Sequence, residues 1–160
     1  MTENLLNLTL DELRRKCSEI SVEPYRADQV FQWIYEKGIY DFDQMTNLSL
    51  DLRKTLKESF LIFLPEVTER QRSEDDKSVK LLLRLKPKDF VEAVYMISGS
   101  RKTVCISSQV GCKFHCAFCA SGQQGFFRNL KMGEMISQVL RARDLSPDKK
   151  ITNLVFMGMG

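Results

Sequence analysis

Three cysteines, Cys112, Cys116 and Cys119, fall within eight residues, and their x3, x2 spacing restricts the local fold more than any other stretch of the chain. Thiols that close together in sequence reach a common point from a single short loop. Soft thiolates presented this way suit an iron–sulfur centre. Three of them account for three irons of a [4Fe-4S] cubane and leave the fourth iron open to a small molecule. The competing reading is a structural zinc site, with Cys105 or the only histidine, His115, as fourth ligand. Closed zinc sites usually draw their ligands as two pairs from separate elements, and this sequence has no second pair. His115 otherwise reads as an ordinary loop residue.

The stretch around the cysteines alternates strand and helix, while the chain before residue 65 reads as helical. Thr9-Leu10-Asp11-Glu12 has the form of a capping box, with Leu8 and Leu13 placed as a hydrophobic staple. Leu10, Leu13, Cys17 and Ile20 follow at helical spacing, which makes Cys17 a core residue. A second helix is expected over Ala27 to Lys37, stopped by Gly38, with Trp33 packed. A third runs from a Ser49 cap through Leu52, Leu56 and Phe60. Beyond Pro65 the period changes. Val79 to Leu85 and Phe90 to Ile97 read as a hairpin around Lys86-Pro87-Lys88-Asp89, and the charged stretch Glu69 to Lys77 as an exposed loop. Thr103 to Ser107 reads as a strand, Gly133 to Arg143 as an amphipathic helix, and Ile151 to Met157 as an almost wholly buried strand. Strand, loop, helix and strand make one right-handed βαβ unit, with the cysteine loop at the carboxyl end of its first strand, where α/β folds collect ligands. Gly158-Met159-Gly160 then falls beside that loop.

The net charge of +3 is unevenly shared: residues 1–60 carry 8 Lys/Arg against 11 Asp/Glu, and residues 61–160 carry 16 against 10. A basic half that also holds the cysteines permits a polyanionic partner such as RNA. Arg128, Lys131, Arg141 and Arg143 are candidates for phosphate contact or for a solvated helix face. No apolar run is long enough for a transmembrane helix, and Met1-Thr2-Glu3-Asn4 lacks the pattern of a secretory signal, so a cytoplasmic protein with no membrane partner is expected. Five cysteines with three clustered fit a reducing compartment better than a disulfide framework.

With its flanks the cysteine motif narrows to one family. Thr103-Val104-Cys105-Ile106-Ser107-Ser108-Gln109-Val110-Gly111-Cys112, Phe118-Cys119-Ala120-Ser121-Gly122, Gly125-Phe126-Phe127-Arg128-Asn129-Leu130 and the segment Ile151 to Gly160 resemble the dual-specificity 23S rRNA and tRNA adenine-C2 methyltransferases of the radical S-adenosylmethionine (SAM) superfamily. Tyr25-Arg26-Ala27-Asp28-Gln29-Val30 and Trp33-Ile34-Tyr35 look like the helical N-terminal domain of that family.

The resemblance implies an α/β fold: a small N-terminal helical domain over 1–64 and a β-hairpin extension over 65–100. The start of a radical SAM (β/α) partial barrel follows over 101–160, truncated at Gly160. It implies a [4Fe-4S] cluster on Cys112, Cys116 and Cys119, SAM contacts at Phe118 and Gly160, Glu92 as proton acceptor and Cys105 as resolving cysteine. In such enzymes SAM chelates the open iron, and an electron from the cluster releases a 5′-deoxyadenosyl radical. A methylated cysteine near the family's C-terminus carries the methyl group to adenine C2. The implied partners are 23S rRNA, tRNA and a one-electron reductant such as flavodoxin. No cysteine follows Cys119, so the methyl-carrying residue is missing and the chain reads as an N-terminal portion, inactive by itself. The alternative is a non-catalytic RNA-binding module with a structural zinc or iron–sulfur site. Without the family, Glu92 reads as a solvent-facing strand residue, while Cys105, on the strand that leads into the cluster loop, reads as a thiol able to face the same cavity or else as a small core residue.

Overall fold

A computed structural model describes residues 2–75, 77–123 and 125–160; Met1, Asp76 and Gln124 lie outside the described residues. The chain divides into two compact units, Met1–Phe63 and Leu64–Gly160.

The first unit is built on capped helices. A short strand β1 (Glu3–Asn4) leads into α1 (Leu10–Glu19) through Thr9. The Thr9 N–H donates to Glu12 Oε2 at 2.8 Å and the Glu12 N–H to Thr9 Oγ1 at 3.3 Å, closing the expected capping box. Leu13 and Cys17, one turn apart, are fully buried, and burial pushes the Cys17 thiol up from its ordinary value. The second helix differs from the expected Ala27–Lys37 segment. α2 spans Tyr25–Phe31, and Gln32–Glu36 widens into a π-helical turn before Gly38, at φ 71°, ends it. Trp33 is half-buried there, with its Nε1–H on Asn47 Oδ1 at 2.5 Å and the Lys37 ammonium over its ring. α3 (Leu50–Ser59) starts at the Ser49 cap and runs into β2 (Phe60–Leu61), which pairs in parallel with β1. Leu5, Leu6, Leu13, Ile34, Met45, Leu48 and Leu56 form the core of this unit.

The second unit is a five-stranded sheet with a separate two-stranded hairpin. β3 (Glu66–Arg72), β4 (Ser78–Lys86), β5 (Asp89–Ser98) and β6 (Arg101–Cys105) are antiparallel neighbours. β7 (Gln109–Gly111), the short α4 (Ala120–Gln123) and β8 (Phe126–Asn129) follow, then α5 (Met132–Arg143) and β9 (Asn153–Val155), which is parallel to β6. Alternation along the strands buries Val79, Leu81, Leu83, Val91, Ala93, Tyr95 and Val104 on one face. α5 packs against β4 and β5.

Two expectations are corrected here. The charged stretch beginning at Glu69 is not all loop, because Glu66–Arg72 forms strand β3. An edge strand keeps its charges in water while its backbone pairs on one side only, so its sequence imitates a loop. The segment Ile151 to Met157 is a strand only over Asn153–Val155, and it is not buried: Leu154, Phe156 and Met157 are exposed. Among the described residues β9 pairs only with β6, leaving its outer edge open.

One buried amide ties these pieces together. Gln138 of α5 is fully buried, accepting the Ser107 N–H at 2.9 Å through Oε1 and donating through Nε2 to the Ser107 carbonyl at 2.9 Å. The Ser107 hydroxyl donates to the Glu92 carbonyl of β5 at 2.8 Å and accepts the Met159 N–H at 3.1 Å.

Replacing Thr9 by Ala should destabilise the first unit by about 1 kcal/mol through loss of its cap. Replacing Gln138 by Leu leaves a buried donor and acceptor of Ser107 without partners, and should cost the sheet unit on the order of 3 kcal/mol. Urea unfolding of each variant, followed by circular dichroism, measures both.

Candidate functional site

The cysteine loop is the connection of the β7-β8 hairpin, which the sequence patterns did not reveal. Its neck is narrow. The Cys112 N–H donates to the Gly125 carbonyl at 3.0 Å, and Gly111, at φ 71°, lies so close to that carbonyl that any Cβ would collide with it. The buried Gln109 reinforces the neck, with its side-chain amide donating to Asn129 Oδ1 at 3.1 Å and accepting the Lys113 N–H at 3.3 Å. Within the loop two tight turns follow the cysteines, Cys119 N–H to the Cys116 carbonyl and Gly122 N–H to the Cys119 carbonyl, both at 3.0 Å. His115 Nδ1 lies 3.1 Å from the Gly122 carbonyl. A carbonyl only accepts, so Nδ1 carries the proton and His115 closes the loop on itself.

Cys112, Cys116 and Cys119 are all half-exposed free thiols on this one loop. Their side chains are not drawn together: among the described residues, no three His, Cys, Asp or Glu side chains are gathered tightly enough to hold a metal ion. The donor set nevertheless fits an iron–sulfur cluster in type and number, since three soft thiols stand on a loop whose ends are fixed and whose middle is short. Phe118, next to Cys119, is 94% exposed. Gly160 lies at the root of the same loop, at φ 125°, packed so closely on Ser108 and Gln109 that a side chain would clash with the Ser108 hydroxyl. The Met159 carbonyl accepts both the Ser108 N–H, at 2.8 Å, and the Gln109 N–H, at 3.1 Å.

Cys105 and Glu92 share a face of the sheet. Cys105 pairs with Val94, and Glu92 stands two residues before Val94 on β5. This is the face opposite the buried apolar one. Cys105 is 8% exposed, whereas Glu92 is half-exposed and pairs with Lys80 Nζ at 3.0 Å. A small cavity lined by Glu69, Gln71, Lys80, Leu82 and Glu92 opens on this side.

The arginines offered as phosphate contacts are engaged within the protein. Arg128 Nε donates to Asp89 Oδ2 at 2.8 Å, and Nη1 and Nη2 donate to Glu134 Oε2 and Oε1 at 2.8 and 2.7 Å. Arg141 Nε donates to the Pro65 carbonyl at 2.7 Å, and Arg143 is buried. Lys131 stays exposed at the start of α5. The charge count of this half therefore overstates the positive surface that a partner would meet. Burial opposes ionisation of Glu134, but the hydrogen bonds from Arg128 and from the Lys131 N–H outweigh it and hold the carboxyl below its ordinary value. The same contacts raise the Arg128 guanidinium further above its usual range.

Comparison with known proteins carries the likeness along the whole chain. Residues 3–62 match the family model described as the ribosomal RNA large subunit methyltransferase N-terminal domain. The chain is 46% identical over 160 residues to a probable dual-specificity RNA methyltransferase RlmN of Fervidobacterium nodosum, covering 100% of this chain and 46% of that protein. It is 46% identical over 158 residues to the protein of the same name in Thermosipho melanesiensis, covering 99% of this chain and 46% of that one. A radical SAM methyltransferase crystal structure from Sphaerobacter thermophilus matches with a TM-score of 0.92 at 38% identity, over 99% of this chain and 47% of that chain. The chain thus spans about half the length of the curated relatives it matches.

Because the folded Glu134 carboxyl titrates below its unfolded value of 4.5, the stability it contributes is fully present above pH 4.5 and is lost as pH falls through the folded value. The urea midpoint of the sheet unit should therefore fall as the solution is acidified below that point. In Glu134→Gln the midpoint should be lower at pH 7 and its acid dependence shallower.

Proposed function

We infer that this chain belongs to the dual-specificity RNA methyltransferase family of radical SAM enzymes, and that it supplies the part that binds the iron–sulfur cluster. The single observation that carries this reading is the Cys112, Cys116 and Cys119 loop, rooted between β7 and β8 in a chain whose whole length aligns with about half of those enzymes. Cys112, Cys116 and Cys119 would hold a [4Fe-4S] cluster, and Phe118 and the backbone at Gly160 would contact SAM. When bound, the cluster and SAM supply one-electron cleavage of a sulfonium bond, with the electron drawn from a reductant such as flavodoxin.

The protein's own groups have separable tasks. The half-exposed Glu92 carboxylate would accept the proton from adenine C2, with Lys80 balancing its charge before the base arrives. Cys105, on the same face and largely shielded from water, would supply the thiol that forms the disulfide with a methyl-carrying cysteine and frees the product. Gly160 needs no side chain because Ser108 and Gln109 fill the space a Cβ would take, which holds the backbone there against the root of the cysteine loop. The substrates proposed for the whole enzyme are 23S rRNA and tRNA. No helix among the described residues is long and apolar enough to cross a membrane, and a cytoplasmic setting suits free thiols and RNA substrates.

Anaerobic reconstitution should load about four iron and four sulfide per chain, and Cys112→Ala, Cys116→Ala or Cys119→Ala should each abolish it. Stoichiometric zinc without sulfide would instead make this a structural metal site. In a full-length relative, Cys105→Ala should keep the cluster and SAM cleavage but accumulate RNA covalently attached to protein on a denaturing gel. Loss of the cluster in that variant would make Cys105 a ligand.

A further inference from the structure

The chemistry proposed above makes no use of Arg128, yet every nitrogen of its guanidinium is engaged. Nε meets Asp89, Nη2 meets Glu134, and Nη1 meets Glu134 with the Asn129 carbonyl at 3.3 Å. Arg128, Asp89 and Glu134 side chains are 27%, 22% and 11% exposed, so water screens these contacts only in part. The three residues come from three elements. Asp89 opens β5, Glu134 lies in the first turn of α5, and Arg128 sits on β8 directly opposite Val110 of β7. Cys112 follows two residues after Val110. The return strand of the cysteine loop is thus bolted at its root to the sheet and to the helix.

A lysine in place of Arg128 would not reproduce this arrangement, because a single ammonium lacks the planar fork that reaches two carboxylates at once. Removing the guanidinium altogether leaves two carboxylates facing one another in a partly dry site.

We propose that Arg128 is a positioning residue for the cysteine loop: by locking β8 to β5 and α5 it fixes the neck from which Cys112 projects, and so sets how firmly the loop retains an iron–sulfur cluster. The inference rests on reading Cys112, Cys116 and Cys119 as the cluster ligands. Arg128 acts through the loop and touches neither cluster nor substrate. Its partners Asp89 and Glu134 serve the same end.

The test compares the wild-type chain with Arg128→Gln, Arg128→Lys and Glu134→Gln after anaerobic reconstitution with iron and sulfide. Each is challenged with a ferrous chelator while iron release is followed by absorbance, and the reduced cluster is recorded by electron paramagnetic resonance. Arg128→Gln should keep the wild-type far-ultraviolet circular dichroism but release iron about tenfold faster, as expected for a group that supports metal ligands from outside. Its cluster signal should broaden, Glu134→Gln should release iron faster too, and Arg128→Lys should restore retention in part. Equal release rates and unchanged spectra in Arg128→Gln would overturn the proposal while leaving the cluster assignment standing. If Arg128→Gln does not fold, a wild-type release rate in Arg128→Lys overturns it. A wild-type chain that takes up iron but no sulfide defeats the cluster reading itself, and this inference with it.

Discussion

The pairing of the Gln138 side chain with both backbone groups of Ser107 is the contact on which the second unit depends. A carboxamide is the neutral side chain that offers one donor and one acceptor in the spacing of a peptide group, so it completes Ser107 much as another strand would. The site is fully buried, and leaving either group unpaired there would cost more than the hydrogen bonds themselves contribute. Ser107 then distributes the constraint: its hydroxyl fixes β5 at Glu92 and the chain end at Met159, and Ser108 next to it accepts the Leu130 N–H through its carbonyl. Every element near the cysteine loop is thereby registered to one point. The positions of Cys105, Gly160 and the loop neck follow from it.

The sequence was most legible where one residue type does one thing. The Thr9 and Ser49 caps, the β4-β5 hairpin and the apolar spacing of Leu13 and Cys17 all appear as read. Three features escaped, each for a different reason. β3 reads as a loop from sequence because an edge strand shows water the same charges that a loop does. The β7-β8 hairpin is too short, and too rich in Gly and polar residues, to show alternation. The burial expected of Leu154, Phe156 and Met157 is not seen: hydrophobicity records what a residue prefers, and nothing among the described residues covers these three, in a chain that spans about half the length of its relatives.

At the candidate site the spacing of the cysteine triplet is legible as one short loop, and the structure sets all three thiols on it without drawing their side chains together. The supporting network is not legible. Gln109 reaches Asn129, Gln138 reaches Ser107 and Arg128 reaches Asp89 across 20, 31 and 39 residues of sequence, although Glu134 lies only 6 residues from Arg128. The one local hint is that Gln138 and Ser137 fall on the buried side of α5, where polar residues need partners. Arg128 shows the hazard of counting charges. A cation read from sequence is an asset for binding phosphate only if it is not already satisfied at home, and three of the four basic residues nominated around α5 are occupied or buried.

The contact between Gly111 and the Gly125 carbonyl has a consequence for how a metal centre would be assembled. By closing the loop at its neck, the hairpin has already met the entropy of bringing the ends together before any ligand arrives. What lies between is a short loop that carries all three thiols. A domain of the zinc-finger kind has no fold until its ion binds. Here the neck is already held by the Cys112 N–H on the Gly125 carbonyl, so a cluster on the three cysteines would draw on a loop whose two ends are joined, and less of its binding energy would go to closing that loop.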